Sequence, residues 1–270
     1  MERNDVDLFQ EWFRGFCSDF HSRDSEEEKN IRLKEEHTFR VYDNIRRIAA
    51  DEKIEKYFAI LAEVVALFHD IGRFPQYRRY KTFKDSDSVN HAALGCEMLV
   101  RGKALDKLSP NEQDMIIEAV RHHNVFTVPS RFGLPLRILL GLIRDADKID
   151  IWKVFIDFYD QPSEQRASAV SLGFPDIPSF SPEILESIRR RELVKLKSVT
   201  CLNDFKLLQL TWVYDLNFPT SFKMLEEKNY INRMTATLPV DNKIREAVEI
   251  VRRYSHEVLE GKICKGIMPD

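Results

Sequence analysis

Seven histidines stand in this chain, and five of them fall between positions 37 and 123: His37, His69, His91, His122 and His123. Each of the five sits in or at the end of a stretch with helical periodicity. A lone helical histidine is ordinarily a hydrogen-bonded core or surface residue, so the informative property is which way several of them face. His37 shares a stripe with Leu33, Val41, Ile45 and Ile48, spaced at three- and four-residue multiples. His69 follows Leu61 and Val65 at the same step. His91 precedes Leu94 and Met98, while His123 follows Ile116, Ala119 and Val120. Four helices therefore aim one imidazole each at the interior. Four buried imidazoles without partners are costly, and a shared transition metal would satisfy them.

Carboxylates complete such a set. Asp70 follows His69 directly in ALFHDIGRF, so one helix end offers an imidazole and a carboxylate together, and Gly72 lets the backbone leave the helix. A second acidic pair lies in IRDADKIDIW. Asp145 and Asp147 are two residues apart and cannot face the same way on a helix. Periodicity does not choose between them, because Leu136, Leu140 and Ile143 align with Asp147, whereas Ile138, Leu142 and Ile149 align with Asp145.

The elements that must hold these groups are helices. Only 9 glycines and 11 prolines interrupt the chain, and apolar residues recur at three- and four-residue intervals. The pattern predicts helices near 5–22, 28–50, 53–71, 89–101, 110–123, 133–158, 181–198, 202–216, 218–236 and 240–260. Asp51 is the expected N-cap of the third, and Ser109-Pro110 opens the fifth. QPSEQRASAVSLGFPDIPSFSP, at 161–182, is the one long irregular stretch and reads as a linker or a loop laid over a cleft. The fold class is all-α, with residues 1–160 as a metal-binding helical domain. Residues 161–270 are expected to form a further helical region that packs on it or caps it.

Composition narrows the function. The chain has 270 residues, 43% hydrophobic and 31% charged, with a formal net charge of −3, so no global basic field argues for a nucleic-acid polymer. Cys17, Cys96, Cys201 and Cys264 are scattered without a C-x-x-C pair, which reads as reduced thiols rather than a disulfide framework or a zinc knuckle. The opening MERNDVDLFQEWF has no apolar signal core, and no stretch approaches the ~18–20 apolar residues of a membrane helix. A cytoplasmic protein without a membrane partner is expected, with the oligomeric state left open. No Gly-rich phosphate loop, dinucleotide fingerprint or serine elbow is present.

The order His37, His69-Asp70, Asp147 resembles the H…HD…D signature of the HD superfamily of metal-dependent phosphohydrolases. EEHTFRVYDNI, FHDIGRF, SVNHAALG, AVRHHN and DADKID each resemble segments of that superfamily, over roughly residues 31–152. The superfamily's ADKL or ADRL phrase aligns with ADKI, which implies Asp147 as the ligand. Members with two metals add two histidines between HD and the last aspartate; His91 and one of His122 or His123 occupy those places, and facing picks His123. HHN runs here into VFTVPSRFG, without the G-Y-P element of the cyclic-dinucleotide phosphodiesterases.

The resemblance thus implies an HD-domain-like helical bundle holding one or two divalent ions (Mn, Fe, Co, Ni or Zn) on His37, His69, Asp70, His91, His123 and Asp147. It implies hydrolysis of a small anionic phosphate ester, a nucleotide among the candidates, as a monoesterase or diesterase. Lys148 resembles the phosphate-contacting lysine of nucleotide-cleaving relatives. Arg73, and the cluster Arg78, Arg79 and Lys81, would also suit an anionic substrate. Two other readings share this ligand set: a di-iron oxygenase on the same scaffold, and a non-catalytic helical sensor that retains its metal.

Overall fold

The structure is a computed structural model that describes residues 1–162 and 165–267. Among those residues it is all helical, without a strand. Helices α1 (Arg3–Ser18), α2 (Ser25–Asp51), α3 (Lys56–Phe68), α4 (Arg73–Tyr80), α5 (His91–Arg101), α6 (Pro110–His122) and α7 (Leu134–Asp160) form the first part of the chain. They are followed by α8 (Pro182–Arg189), α9 (Leu202–Thr211), α10 (Pro219–Glu227), α11 (Tyr230–Ala236) and α12 (Asn242–Leu259).

α3 is the axis. Its sequence KYFAILAEVVALF is apolar on nearly every side, and positions 60–68 are all buried. A helix without a polar face needs neighbours all round, and α1, α2, α6 and α7 supply them. Its one buried acid, Glu63, accepts a hydrogen bond from the Tyr42 hydroxyl at 2.7 Å and pairs with Arg3, which fixes α1 and α2 against it. The two long helices, α2 and α7, pack along each other and carry His37 and Asp147. α2 starts where expected of its chemistry: Asp24 accepts from the backbone of Glu26 and Glu27 at 3.0 and 2.9 Å, with three glutamates in the first turn.

Several boundaries differ from those read off the sequence. Asp51 is the last residue of α2 rather than the cap of α3, whose cap position is Glu55. Residues 73–80, outside the helices expected from the periodicity, form α4. The stretch 181–198 is α-helical only to Arg189, with a 3-10 turn at Leu196–Ser198, and 218–236 is broken at Asn229, whose backbone is left-handed (φ 53°). Ser109 does open α6, in a reciprocal capping box with Glu112. Within 161–182 the described residues include a short 3-10 turn at Ser168–Ser171; Ser163 and Glu164 lie outside them. No described helix is long and apolar enough to cross a membrane, and the four cysteines are unpaired.

Candidate metal centre

Helix ends bring the ligands together. His69 is the C-cap of α3 and His123 the C-cap of α6. There the last carbonyls have no intrahelical partner, and each ring takes one. His69 Nδ1 lies 2.8 Å from the Ala66 carbonyl, and His123 Nδ1 lies 2.7 Å from that of Val120. A carbonyl only accepts, so both Nδ1 atoms carry the proton and both Nε2 atoms present a lone pair. His37 reaches the same state through a carboxylate: its Nδ1 is 2.7 Å from Asp150 Oδ2, and Arg40 Nε donates to Oδ1 of the same carboxylate at 2.6 Å. His91, the first residue of α5, sets its Nδ1 2.8 Å from Asp85 Oδ2.

All four Nε2 atoms converge on Asp70. Its Oδ2 lies 3.5 Å from His37 Nε2 and 3.8 Å from His69 Nε2. Its Oδ1 lies 3.3 Å from His91 Nε2 and 3.8 Å from His123 Nε2. The carboxylate thus divides its oxygens between two histidine pairs, and each pair with Asp70 forms a buried trio whose donor atoms are close enough to share one ion. Asp147 joins the first trio, with Oδ1 3.1 Å from His37 Nε2 and 3.8 Å from His69 Nε2.

The donor set fits a metal on the evidence of its own unmet valences. His37 Nε2 and His69 Nε2 are buried without any hydrogen-bond partner, a state native proteins rarely tolerate. His91 and His123 turn their Nε2 atoms to one another at 3.1 Å. With both Nδ1 protons committed elsewhere, that contact is lone pair against lone pair unless a cation lies beside it. Burial above all pushes His123 down to about 3, so the ring stays neutral, with Nε2 presenting its lone pair. Burial would raise Asp70, but Lys34, His69, Arg73 and His91 outweigh it and hold the carboxyl well below its ordinary value.

The residues singled out in the sequence separate cleanly. His37, His69, Asp70, His91, His123 and Asp147 share one cluster. Asp145 faces the other side of α7, where it accepts from the backbone of Asn217 and Phe218 and from the Ser221 hydroxyl at 2.6 Å, anchoring the start of α10. His122 bonds the Glu118 carbonyl and packs on Phe132. Arg73 lines the cleft beside the cluster, its Nε 3.5 Å from Asp70 Oδ1. Lys148 does not: its ammonium pairs with Asp215 at 2.7 Å, next to Arg144, and is not part of the cleft wall. Arg78, Arg79 and Lys81 also lie off the cleft; Lys81 pairs with Glu27, and Arg78 covers the Phe20 ring.

Gly72 serves a different purpose from the one expected. Its backbone is ordinary right-handed helix (φ −68°), so no special torsion is needed. A Cβ there would fall 2.1 Å from the His91 carbonyl oxygen and 2.7 Å from the Gly95 nitrogen. Only glycine lets the His69-Asp70 turn approach α5 this closely, which is what brings His91 within reach of Asp70.

Sequence reasoning missed Lys34, Asp85 and Asp150. Lys34 Nζ sits 2.7 Å from Asp70 Oδ2. Asp150 was in principle findable, three residues after Asp147 on the same helical face, and Lys34 likewise stands three before His37.

Within an all-helical bundle, four histidines and Asp147 gathered about the Asp70 carboxylate make a histidine–aspartate cluster that could hold a metal ion. Residues 35–152 match the family model of the HD domain, so this segment is an HD domain. The match covers a little under half of the chain and contains all six candidate ligands. Comparison with curated proteins and with solved structures found no match.

Proposed function

We propose that the chain is a metal-dependent phosphohydrolase acting on a small phosphate ester. The observation that carries this reading is the sharing of Asp70 between two buried histidine pairs, one with both Nε2 atoms unpartnered and the other with its two Nε2 atoms 3.1 Å apart. His37, His69, Asp70 and Asp147 would hold one divalent ion, and Asp70, His91 and His123 a second. Such ions acidify bound water and neutralise charge on a phosphoryl group.

The protein's own groups complete the site. Asp150 and Asp85 keep His37 and His91 in the tautomer that offers Nε2, a familiar support for metal-binding imidazoles. Lys34 and Arg73 bring positive charge to the cleft wall beside Asp70. Lys34 Nζ, 2.7 Å from Asp70 Oδ2, stands where its ammonium would reach a phosphate oxygen if Asp70 served as a metal ligand instead of its partner. Hydrolysis joins the oxygen of water to phosphorus and breaks the bond to the ester oxygen, which leaves as the alcohol with a proton from that water.

The test is phosphate release from a panel of phosphate esters by chelator-stripped protein, before and after adding manganese or cobalt. Metal-dependent release in the wild type, lost in Asp147→Asn, is expected. Release that ignores both chelation and this substitution would refute the proposal.

A further inference from the structure

The cleft beside the metal centre is a cavity of about 400 Å³, and its two ends differ in chemistry. Every charged or amide side chain on the described wall comes from residues 34–147: the candidate ligands other than His69, with Lys34, Arg73, Lys84, Asp85 and Asn124. The wall supplied by residues 169–212 is entirely aliphatic or aromatic, with Val170, Leu172, Val194, Phe205, Leu208 and Trp212 among its members. The distal turns of α7 continue it with Ile151, Val154 and Phe155. Two of the molecule's exposed large apolar side chains, Phe126 (45%) and Leu196 (42%), also border it.

This division assigns a job to the chain beyond the HD domain. A phosphoryl group is matched by the cationic, ligand-rich end. The rest of the substrate must lie against walls that offer almost no hydrogen-bond partner. A ribose and base, or a sugar, would bury hydroxyls and ring nitrogens there unpaired, which is unfavourable. A hydrocarbon body would only gain from leaving water. Resting on the phosphohydrolase reading, we infer that the substrate is a phosphate monoester of an apolar alcohol, its alkyl body held by residues 151–155 and 169–212. A nucleotide, one of the candidates the resemblance allows, fits this wall poorly.

The experiment is a homologous series. Wild-type protein loaded with manganese is assayed for phosphate release from methyl, propyl and pentyl phosphate, with adenosine monophosphate and glucose 6-phosphate alongside. In parallel, calorimetry measures binding of methyl-, propyl- and pentylphosphonate, which cannot be hydrolysed at phosphorus–carbon. Burial of each methylene should tighten binding about fourfold, so pentyl exceeds methyl by roughly 200-fold, and the two polar esters should be poorer substrates than pentyl phosphate. Val154→Asn should flatten that slope; Leu196→Ser, at an exposed position, is the second variant should the first not fold.

Binding that rises with chain length in the absence of any hydrolysis would uphold the apolar cavity while sinking the hydrolase reading. Hydrolysis with affinity independent of chain length, or with adenosine monophosphate preferred, would overturn the cavity proposal and leave the hydrolase reading standing.

Discussion

His91 Nε2 and His123 Nε2 face each other across 3.1 Å, with neither able to donate to the other while both Nδ1 protons are engaged by Asp85 and the Val120 carbonyl. Two opposed lone pairs in a buried site are unfavourable unless positive charge joins them. His37 Nε2 and His69 Nε2, beside the other carboxylate oxygen of Asp70, are buried without a hydrogen-bond partner. The six-residue cluster is best understood as two half-sites hinged on one carboxylate.

That arrangement separates the two half-sites experimentally. His91→Ala with His123→Ala should lower the metal-to-protein ratio from two to one, because His37, His69, Asp70 and Asp147 stay in place. Asp70→Ala should remove most metal from both. Elemental analysis of protein purified without chelator reads the ratio, and circular dichroism checks that the variants remain helical. Equal ratios in wild type and all variants would be incompatible with these assignments.

The carboxylate behind His37 should matter without touching the metal. Asp150 fixes the His37 ring through Nδ1 and is itself clamped by Arg40. Asp150→Asn keeps the size but removes the charge that stabilises this ring, and should weaken metal affinity about 10–100-fold. A competition titration against a chelator of known affinity measures it. An unchanged affinity would return Asp150 to a purely structural role.

These residues show how far the sequence was legible. The helical ligands were readable because each imidazole lies on an apolar stripe, and stripes follow from 3.6-residue periodicity. Asp145 and Asp147 were not separable that way, since α7 is apolar on both sides and buries both faces. What distinguishes them is tertiary: Asp145 meets the backbone of Asn217 and Phe218, about seventy residues away. The role of Gly72 was hidden for a similar reason, because its constraint comes from the His91 carbonyl and not from its own torsion. The break between α10 and α11 rests on a left-handed Asn229, which apolar periodicity running through both helices masked.

Outside the metal centre, Asp204 gives a test of pH dependence. Its buried carboxylate accepts from the backbone and hydroxyl of Ser181 and of Thr200, at 2.6 to 3.0 Å, tying the segment before α8 to α9. Burial would raise this carboxyl, but those hydrogen bonds prevail and lower it. A group depressed in the folded state contributes stability above its unfolded value, ~3.9 for aspartate, and loses it as pH falls through the folded value. Asp204→Asn should cost about 1–3 kcal/mol at pH 7. The gap between wild type and variant in urea unfolding should shrink as pH falls below that value. A gap that is constant or widens on acidification would count against this role for the charge.

The most direct measurement of the central claim is phosphate release in the absence of oxygen. Phosphoryl transfer needs charge neutralisation and an activated water, with no change in metal oxidation state. The same six-ligand pattern would also serve a di-iron oxygenase, which needs both iron and oxygen. Protein stripped of metal, reloaded with manganese under anaerobic conditions and given phosphate esters should release inorganic phosphate at the rate seen in air. Turnover that appears only with iron and oxygen would contradict the account.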